Sequence, residues 1–418
     1  MTQRLRKETA GPVLAANGTD EGSAIGYASA VLDPDTRQFG LWYMAHRDGR
    51  IRLAVSDDAR RWSRRGFAMA DPECGYDNLG FETAGKRLDP WFGDAGLVGF
   101  GYRHRGPAPG LYALKCSDGA HVEAKTPGII AGAGDRSSLF YDQATDEYWL
   151  ISRRGALGLP GAPSGTYVRP RRANLWKSSD FVNWRDCGII LSFDDCDAPD
   201  VQIYGMQPFR WGGGFLAFVE IYHEQIERLD TQLAYSADGL SWRRTDDRAA
   251  VLPTGGEGAW DSHWTVPTFN SPIPCGDRVL VPYVGAGTKH GSKDRHRRGI
   301  GLASIRADGW VSLEAGRAEG WLVTKPLPSV KPMNLEVNAD LHSGYLAVEV
   351  FSALPGCDLE PLPGYESERS RIEHRDESRH RINWGDQTAV TPVAGGRCLL
   401  RMTLYQGSLF SYRWVEAV

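Results

Sequence analysis

The sequence predicts an all-β protein, with a five-bladed β-propeller over residues 1–314 followed by a β-sandwich over residues 315–418. The first observation behind this prediction is a short motif that occurs five times, because such repeats indicate a radial or stacked architecture. The second is that each repeat contains short runs of apolar, β-branched and aromatic residues separated by turns. No long segment with a helical period of about 3.6 residues competes with this pattern.

The recurring motif reads S-x-D-x-x-x-W, and its first copy runs from Ser56 to Trp62. Later copies are Ser178–Trp184 and Ser236–Trp242, a worn copy at Cys116–Gly119 with Val122 in place of Trp, and a fifth at Arg306–Trp310. The aspartates are separated by 58 to 70 residues. An Asp in such a turn can accept hydrogen bonds from backbone N–H groups, and the Trp can pack between blades. We therefore assign the motif a structural role.

Four short runs in a repeat predict the four strands of a propeller blade. In the first repeat these runs are Ala24–Leu32, Phe39–Ala45, Ile51–Val55 and Trp62–Met69. From about Ala315 the motif is absent and alternating runs follow, which predict an antiparallel sandwich. Those runs are His342–Phe351, Arg381–Asn383, Ala389–Val393, Arg397–Leu404 and Leu409–Val415. The charged stretch Glu366–Arg381 predicts a loop between strands.

Composition and charge argue against several classes of partner and cofactor. The net charge of −4 gives no reason to expect nucleic acid or a membrane surface as partner. The seven cysteines are odd in number and form no C-x-x-C pair, so we expect no disulfide framework, no zinc site and no cofactor. No apolar run approaches the roughly 18 residues of a membrane span, and no signal peptide is evident. We expect a cytoplasmic location, and the oligomeric state stays open.

Candidate site residues follow from the geometry of a blade, whose first strand begins near the central axis and whose second strand returns to the same face. Acidic residues stand before or within the predicted first strands: Asp20, Glu21, Glu82, Asp135, Asp200 and Asp261, the last with His263 close by. Titratable and cationic residues stand near the ends of predicted second strands: His46, Arg103, His104, Arg153, Glu220, His223 and His290. We expect these side chains to converge at one mouth.

A cluster of carboxylates at such a mouth suits glycoside hydrolysis. That reaction needs one carboxylic acid to protonate the leaving oxygen and a second carboxylate as nucleophile or as base for water. Crowded carboxylates raise one another's pKa, which keeps one of them protonated near neutral pH. The cationic residues could hold anionic sugars, bond sugar hydroxyls or neutralise the carboxylates. A structural interpretation stays open, because any propeller mouth needs polar residues.

The sequence resembles the five-bladed propeller hydrolases of glycoside hydrolase families 32 and 43, and family 32 over nearly the whole chain. Those enzymes carry motifs like Ser178–Trp184, and family 32 adds a C-terminal sandwich. Gly134–Asp142 resembles their Arg-Asp-Pro segment, which implies that Asp135 stabilises the oxocarbenium-like transition state. Two other family motifs have no match. Ala24–Ala28 stands where family 32 has an Asn-Asp-Pro-Asn-Gly nucleophile motif, and Asp200–Met206 stands where it has a Glu-Cys acid motif.

These observations lead to the hypothesis of a glycosidase that acts on a furanoside or another small glycoside. Asp135 would stabilise the transition state. The acid would be Asp200 or Glu220, and the nucleophile or base would be Asp20 or Glu21. The carbohydrate substrate would be bound by His46, Glu82, Arg153, His223, Asp261, His263 and His290. The resemblance allows an axial calcium ion, but no ligand spacing in this sequence predicts a metal site.

Two alternatives stay open at the level of sequence. A glycan lyase or phosphorylase on the same scaffold would use the His and Arg residues for the reaction or for binding phosphate. A non-catalytic carbohydrate-binding propeller would explain why the acid and nucleophile motifs of family 32 have no match. Turnover of a suitable glycoside separates the enzymes from the binding module.

Overall fold

The computed structural model describes residues 1–33, 35–69, 75–76, 78–85, 88, 91–103, 110–125, 130, 133–154, 171–292, 298–354 and 360–417. It is nearly all-β, as the sequence predicts. The chain divides into two compact units. The larger comprises Arg4–Cys275 and Val279–Ser304, and the smaller comprises Met1–Gln3, Gly276–Arg278 and Ile305–Val418. Compactness alone does not define a domain, so the predicted boundary at residues 314 and 315 stays a prediction.

In the larger unit, two short strands precede three four-stranded antiparallel sheets, each built from consecutive strands. The short strands are β1 (Arg6–Lys7) and β2 (Leu14–Ala15). The first sheet contains β3 (Ile25–Leu32), β4 (Phe39–Ala45), β5 (Ile51–Ser56) and β6 (Ser63–Phe67). The second contains β7 (Asn78–Thr83), β8 (Leu97–Arg103), β9 (Gly110–Cys116) and β10 (Val122–Lys125). The third contains β11 (Ser137–Asp142), β12 (Glu147–Arg154), β13 (Arg172–Ser178) and β14 (Arg185–Leu191).

The rest of the larger unit forms a connected sheet that also receives the start of the chain. Its strands are β15 (Val201–Trp211), β16 (Gly214–His223), β17 (Arg228–Ser236), β18 (Arg243–Arg244), β19 (Ala250–Leu252), β20 (Trp264–Pro267), β21 (Ile273–Cys275), β22 (Arg278–Ala286) and β23 (Arg298–Arg306). The order β15-β16-β17 continues through one parallel bridge to β20-β22-β23. Both β1 and β2 pair with β23, which places Arg6 opposite Ser304 and Leu14 opposite Ile300.

Neighbouring sheets of the larger unit pack face to face, which explains why their strands are apolar on both sides. In β4, which reads FGLWYMA, every residue except Gly40 is buried. Trp42 of β4 packs on Phe81 of β7 with 5.3 Å between the ring centroids. Strands covered on both faces read as continuous apolar runs, whereas the outer strand β6 is exposed throughout.

The first strands of successive sheets are joined in a closed series of contacts. Ser29 Oγ in β3 accepts a hydrogen bond from Phe81 N in β7 at 3.0 Å, and Gln207 Nε2 in β15 donates to Leu139 O in β11 at 3.2 Å. Asn78 Nδ2 in β7 donates to Ser137 O in β11 at 3.4 Å. The rings of Tyr204 in β15 and Trp264 in β20 have centroids 6.3 Å apart. The segment after β20 returns to β3, where Phe269 N donates to Ala28 O at 3.0 Å. The starts of these strands therefore lie together.

The S-x-D-x-x-x-W motif forms the same turn in each full copy. Asp180 Oδ1 accepts hydrogen bonds from Val182 N at 2.9 Å and Asn183 N at 2.7 Å, and Trp184 Nε1 donates to Phe181 O at 3.2 Å. The copies at Asp58 and Asp238 repeat these bonds. The residue after each Asp has a positive φ, which is 62° at Phe181. The structural role that the sequence predicts for the motif is confirmed.

The smaller unit contains two antiparallel sheets that share one apolar cluster. Its elements are β24 (Leu313–Ala315), β25 (Gly320–Val323), β26 (Leu327–Pro328), β27 (Met333–Asp340), β28 (Tyr345–Ser352), α1 (Ser367–Ser370), β29 (Ile372–Glu373), β30 (Asp376–Ile382), a 3₁₀ turn at Ala394–Gly396, β31 (Arg397–Tyr405) and β32 (Gly407–Glu416). One sheet has the order β24-β32-β27-β30, and the other has β25-β31-β28-β29 with β26 on β31. Val337, Val348 and Leu400 lie in the shared cluster.

Two sequence-based assignments in the smaller unit are wrong. The charged stretch Glu366–Arg381, predicted as a loop, contains α1, β29 and most of β30. β30 is an edge strand, where charged residues are common because they discourage pairing with other chains. The predicted strand Ala389–Val393 forms only the isolated bridge between Val390 and Met333, and Pro392 cannot donate a ladder hydrogen bond.

Five of the seven cysteines lie in the described part of the chain. The described cysteines, Cys116, Cys187, Cys196, Cys275 and Cys398, are free thiols. Cys74, Cys357 and His104 lie outside the described residues. Within the described part of the chain, no helix has the length and apolarity needed to cross a membrane.

We predict that Asp180→Ala destabilises the larger unit, because two backbone N–H groups lose their acceptor. The free energy of unfolding should fall by about 1 kcal/mol at neutral pH, as measured by urea denaturation. The turn holds the pKa of Asp180 down at about 2, below the unfolded value of about 3.9. The difference between wild type and variant should therefore be full above about pH 4 and vanish as the pH falls toward 2. Exposed Asp246→Ala is the control, and an equal loss there would contradict this account.

Candidate functional site

The start of β11 and the end of β12 meet, as the blade geometry predicts. Asp135 lies just before β11, and its carboxylate forms an ion pair with Arg153 near the end of β12. The Asp135 side chain is 22% exposed, so a substrate can reach it. The guanidinium of Arg153 also lies over the ring of Tyr204, 4.5 Å from its centroid. The carboxylate of Asp135, the guanidinium of Arg153 and the ring of Tyr204 therefore lie together.

Behind this place lies a buried ion pair between Arg136 and Glu220. Arg136 Nε donates to Glu220 Oε2 at 2.6 Å, and both side chains are about 5% exposed or less. The guanidinium also lies over the Phe269 ring, 3.5 Å from the centroid. Burial lowers the pKa of Arg136 to about 9, which still leaves it charged at neutral pH. Its Nη1 atom is buried and has no hydrogen-bond acceptor among the described residues.

Gly205 is the residue that lets Glu220 take this position. Gly205 stands opposite Glu220 across the β15–β16 pair, next to a register shift that follows Ile203. A Cβ atom on Gly205 would lie 2.5 Å from Glu220 Oε2 and 3.0 Å from Arg136 Cγ. The absence of a side chain at this position is therefore a condition of the ion pair.

An aromatic and histidine wall borders the same place. Tyr204 Oη and His290 Nε2 are 2.9 Å apart, a hydrogen-bond distance. The His290 ring stacks on Trp264 with 5.3 Å between centroids and an interplanar angle of 12°. The Arg298 guanidinium lies over the Trp264 ring, 4.2 Å from its centroid, and Arg298 Nη1 is 3.3 Å from His46 Nε2. Two of the predicted binding residues, His46 and His290, thus reach the wall.

Sequence reasoning missed Tyr27 and Tyr204, which both lie at irregularities in first strands. Tyr27 falls at a register shift in β3 and has φ of 39°, a region in which bulky residues are rare. Its ring is 5.9 Å from that of Phe269, and both tyrosines are electrostatic neighbours of Arg136. Each lies in a stretch that has no match to a family 32 motif. That lack of match was the signal in the sequence that could have pointed to Tyr27 and Tyr204. The register shifts themselves cannot be predicted from side-chain types.

Glu21 and Asp261 are both buried, and each carboxylate is bonded to a cationic side chain and to a tyrosine. Glu21 accepts hydrogen bonds from Tyr43 Oη and from Arg64 Nε, the latter at 2.9 Å. Burial raises the pKa of Glu21, but these hydrogen bonds outweigh it and leave the pKa lowered. Asp261 is bound by Lys7 Nζ at 2.6 Å and by Tyr283 Oη at 2.9 Å. The roles predicted for Glu21 and Asp261 stay predictions.

The other predicted residues have local partners. Asp200 Oδ2 accepts from Gln225 N at 3.1 Å in the turn after β16. His223 Nε2 is 3.0 Å from Asp230 Oδ2. His263 Nδ1 is 3.0 Å from Ser262 Oγ, and Asp20 receives Arg52 Nη2 on its backbone oxygen at 3.0 Å. The roles predicted for Asp20, Asp200, His223 and His263 stay predictions.

Glu82 lies at the opposite end of its strand, so its predicted place in the mouth is wrong. Asn78 begins β7 beside Ser137, whereas Glu82 near the end of β7 lies beside Tyr141 near the end of β11. Glu82 borders a cavity of about 540 Å³ that Phe140, Arg210 and Pro272 also line. Burial raises the pKa of this half-buried carboxyl to about 7. The sequence placed Glu82 in the mouth because the sequence alone does not show at which residue β7 begins.

Three comparisons with known proteins bear on the fold. No family model matches this sequence, and no curated protein sequence matches it. Solved structures do match. A fructofuranosidase from Schwanniomyces occidentalis, solved with fructosylnystose, aligns over 100% of this chain and 99% of its own, with 10% identity and a TM-score of 0.50. The chain has the fold of a propeller glycoside hydrolase.

Two further structures with this fold match a shorter part of the chain. One is an N-acetylgalactosamine deacetylase from F. plautii with a blood group B trisaccharide; it covers 72% of this chain and 95% of its own, at 14% identity and TM-score 0.51. The other structure is described with the GH130 mannoside phosphorylase family and β-1,2 mannosidic linkages in Candida mannan. It covers 73% of this chain and 94% of its own, at 12% identity and a TM-score of 0.52. The likeness to propeller glycoside hydrolases that the sequence suggests is confirmed at the level of fold.

We predict that Gly205→Ala disrupts the Arg136–Glu220 ion pair. The added methyl group has no space beside the carboxylate, so the free energy of unfolding should fall by about 1–3 kcal/mol in chemical denaturation. Gly213→Ala is the matched control, because no atom lies within 4 Å of its added Cβ. Wild-type stability in the Gly205 variant would show that the ion pair does not require this close approach.

We predict that the difference in free energy of unfolding between the Glu82→Gln variant and wild type depends on pH. The folded pKa of about 7 lies above the unfolded value of about 4.3, so the protonated form stabilises the fold below about pH 4. That contribution is lost as the pH rises through 7. The variant should therefore gain stability relative to wild type between pH 5 and pH 8, measured by urea denaturation at both values. A constant difference would show that Glu82 titrates normally.

Proposed function

We propose that the larger unit is a five-bladed propeller and the smaller unit a β-sandwich. The blades would be β3–β6, β7–β10, β11–β14, β15–β18 and β20–β23, with β1 and β2 completing the last. Three sheets of four consecutive strands, the closed series of first-strand contacts and the pairing of β1 and β2 with β23 support this architecture. The shared apolar cluster between two sheets supports the sandwich.

We propose that the protein is a glycoside hydrolase whose site is the mouth formed by Asp135, Arg153, Tyr204, Trp264 and His290. The observation that carries this proposal is the partly exposed Asp135 carboxylate, which is paired with an arginine that lies over the Tyr204 ring, in a fold that carbohydrate-active enzymes use. A carboxylate at the reacting carbon stabilises an oxocarbenium-like transition state. Asp135 is the carboxylate that acts on the substrate.

In this proposal Glu220 is a positioning residue, since its burial behind Arg136 keeps it from the substrate. The proton for the leaving oxygen comes from the Tyr204–His290 pair, whose Oη and Nε2 atoms are joined by a hydrogen bond. Tyrosine and histidine are established general acids and bases. Tyr27 and Tyr204 thus occupy the stretches in which family 32 enzymes carry their nucleophile and acid motifs.

A lyase is the second candidate, and the same Tyr204–His290 pair favours it. In an elimination a base takes the proton beside a carboxylate, the electron pair forms a carbon–carbon double bond, and the glycosidic C–O bond breaks. The leaving oxygen then takes a proton, and no water is consumed. This chemistry needs no free carboxylate on the protein, which agrees with the ion pairs of Asp135 and Glu220.

We predict that Asp135→Asn lowers kcat on a cleaved glycoside by at least about 100-fold. Asn keeps the shape of the side chain and removes its charge. The matched control is Asp246→Asn, which makes the same change at an exposed residue with no assigned role in the site. Reducing-end assays detect hydrolysis, and the ultraviolet absorbance of an unsaturated product detects elimination. Full turnover by the Asp135 variant would remove this carboxylate from the mechanism.

A further inference from the structure

The cavity beside Glu82 lies at the opposite end of the first strands from the proposed mouth. Its volume of about 540 Å³ is enough for a small molecule. Residues of β7, β11 and β15 and of the segment after β20 line it. Asn78, at the start of β7, contacts the backbone of Asp135 in the mouth, and the rise of the strand places Glu82 roughly 13 Å further along. The cavity is therefore separate from the mouth.

The charged side chains that line this cavity do not balance. Arg210 is paired with Asp142: its Nε donates to Oδ1 at 2.8 Å and its Nη2 donates to Oδ2 at 2.9 Å. Glu82 accepts hydrogen bonds from neutral groups, which are Thr83 N at 3.0 Å, Thr83 Oγ1 at 3.3 Å and the backbone N–H of Tyr141. Within the described part of the chain, Glu82 has no cationic partner.

The pKa of Glu82 agrees with this set of contacts. Burial raises the pKa to about 7, and the hydrogen bonds from Thr83 and Tyr141 offset only part of that rise. Burial also raises the pKa of Asp142, but the hydrogen bonds from Arg210 outweigh it and leave that pKa lowered. A desolvated carboxylate without a counter-charge is stabilised by a cation that enters the cavity.

A divalent metal ion does not suit this lining. Calcium takes about six to eight oxygen ligands, several of them from carboxylates. Both oxygens of Asp142 already accept hydrogen bonds from Arg210, so Glu82 supplies the carboxylate that is open to a cation. One carboxylate balances one positive charge, which favours a monovalent cation.

We propose that this cavity is a second ligand site, which binds the protonated primary amine of a small organic molecule through the Glu82 carboxylate. A primary ammonium group has three N–H donors and needs acceptors around it. The hydroxyl groups of Thr83 and Ser271 line the cavity as further acceptors. Partly exposed Tyr141 and Pro272 offer apolar surface to the carbon skeleton. The site does not depend on the proposed glycosidase activity.

Isothermal titration calorimetry at pH 8, where Glu82 is ionised, tests the proposal. The probes are cyclohexylamine and glucamine, their uncharged hydroxyl counterparts cyclohexanol and sorbitol, and the chlorides of calcium and potassium. Alkyl amines resemble the lysine side chain, whose pKa is about 10.4, so they are protonated at this pH. We expect at least one amine to bind at least about tenfold more tightly than its hydroxyl counterpart.

Three variants locate the bound amine. Glu82→Gln should abolish the difference in affinity, because it keeps the shape of the side chain and removes the charge. This variant should fold, since the substitution removes a charge that burial disfavours. Glu257→Gln makes the same change at an exposed residue, and Asp135→Asn changes the mouth, so both should preserve the difference.

The contrary outcomes are equally specific. Equal binding of each amine and its hydroxyl counterpart, or no binding of either amine, would overturn the proposal. Amine binding that survives in Glu82→Gln, or that is lost in Asp135→Asn, would place the ligand outside this cavity. Binding of calcium or potassium alone would assign the cavity to an inorganic cation and would also overturn the proposal.

Discussion

Contacts between the first strands of successive sheets are the constraint on which the larger unit depends. Hydrogen bonds join β3 to β7, β7 to β11 and β11 to β15, and the rings of Tyr204 and Trp264 join β15 to β20. The segment after β20 closes the series onto β3 through Phe269 and Ala28. The pairing of β1 and β2 with β23 ties the chain start into the last sheet. Because the strands run side by side, residues at their starts meet although the sequence separates them by more than a hundred positions.

That convergence explains the chemistry of the mouth, where charge is concentrated and much of it is buried. An unpaired charge in such a place is strongly unfavourable, so the surrounding sheets supply partners: Glu220 for Arg136, and Asp135 for Arg153. Aromatic rings cover the remaining guanidinium faces. The arrangement places aromatic rings and fixed hydrogen-bond donors side by side.

A fructofuranosidase and a deacetylase share this fold although their sequences are only 10–14% identical to this chain. Function on a common scaffold depends on the side chains grafted onto it, so the likeness in fold does not carry the reaction. In this chain Tyr27 and Tyr204 lie where the family 32 resemblance would place a nucleophile and an acid. Both lie at strand irregularities that turn the side chain toward Arg136, so the departure from the family pattern has a definite geometry.

The sequence by itself determined the all-β class, most strands, the turn role of the repeated Asp and the meeting of Asp135 with Arg153. These properties depend on local periodicity, turn chemistry and the alternation of strand ends, all of which can be read along the chain. Only the tertiary structure decided that Glu21 and Asp261 pair with Arg64 and Lys7. It also placed Glu82 at the far end of β7 and brought Glu220 behind Arg136. Those outcomes depend on bulges, on the missing side chain at position 205 and on which distant charges meet, and none of these leaves a periodic signal.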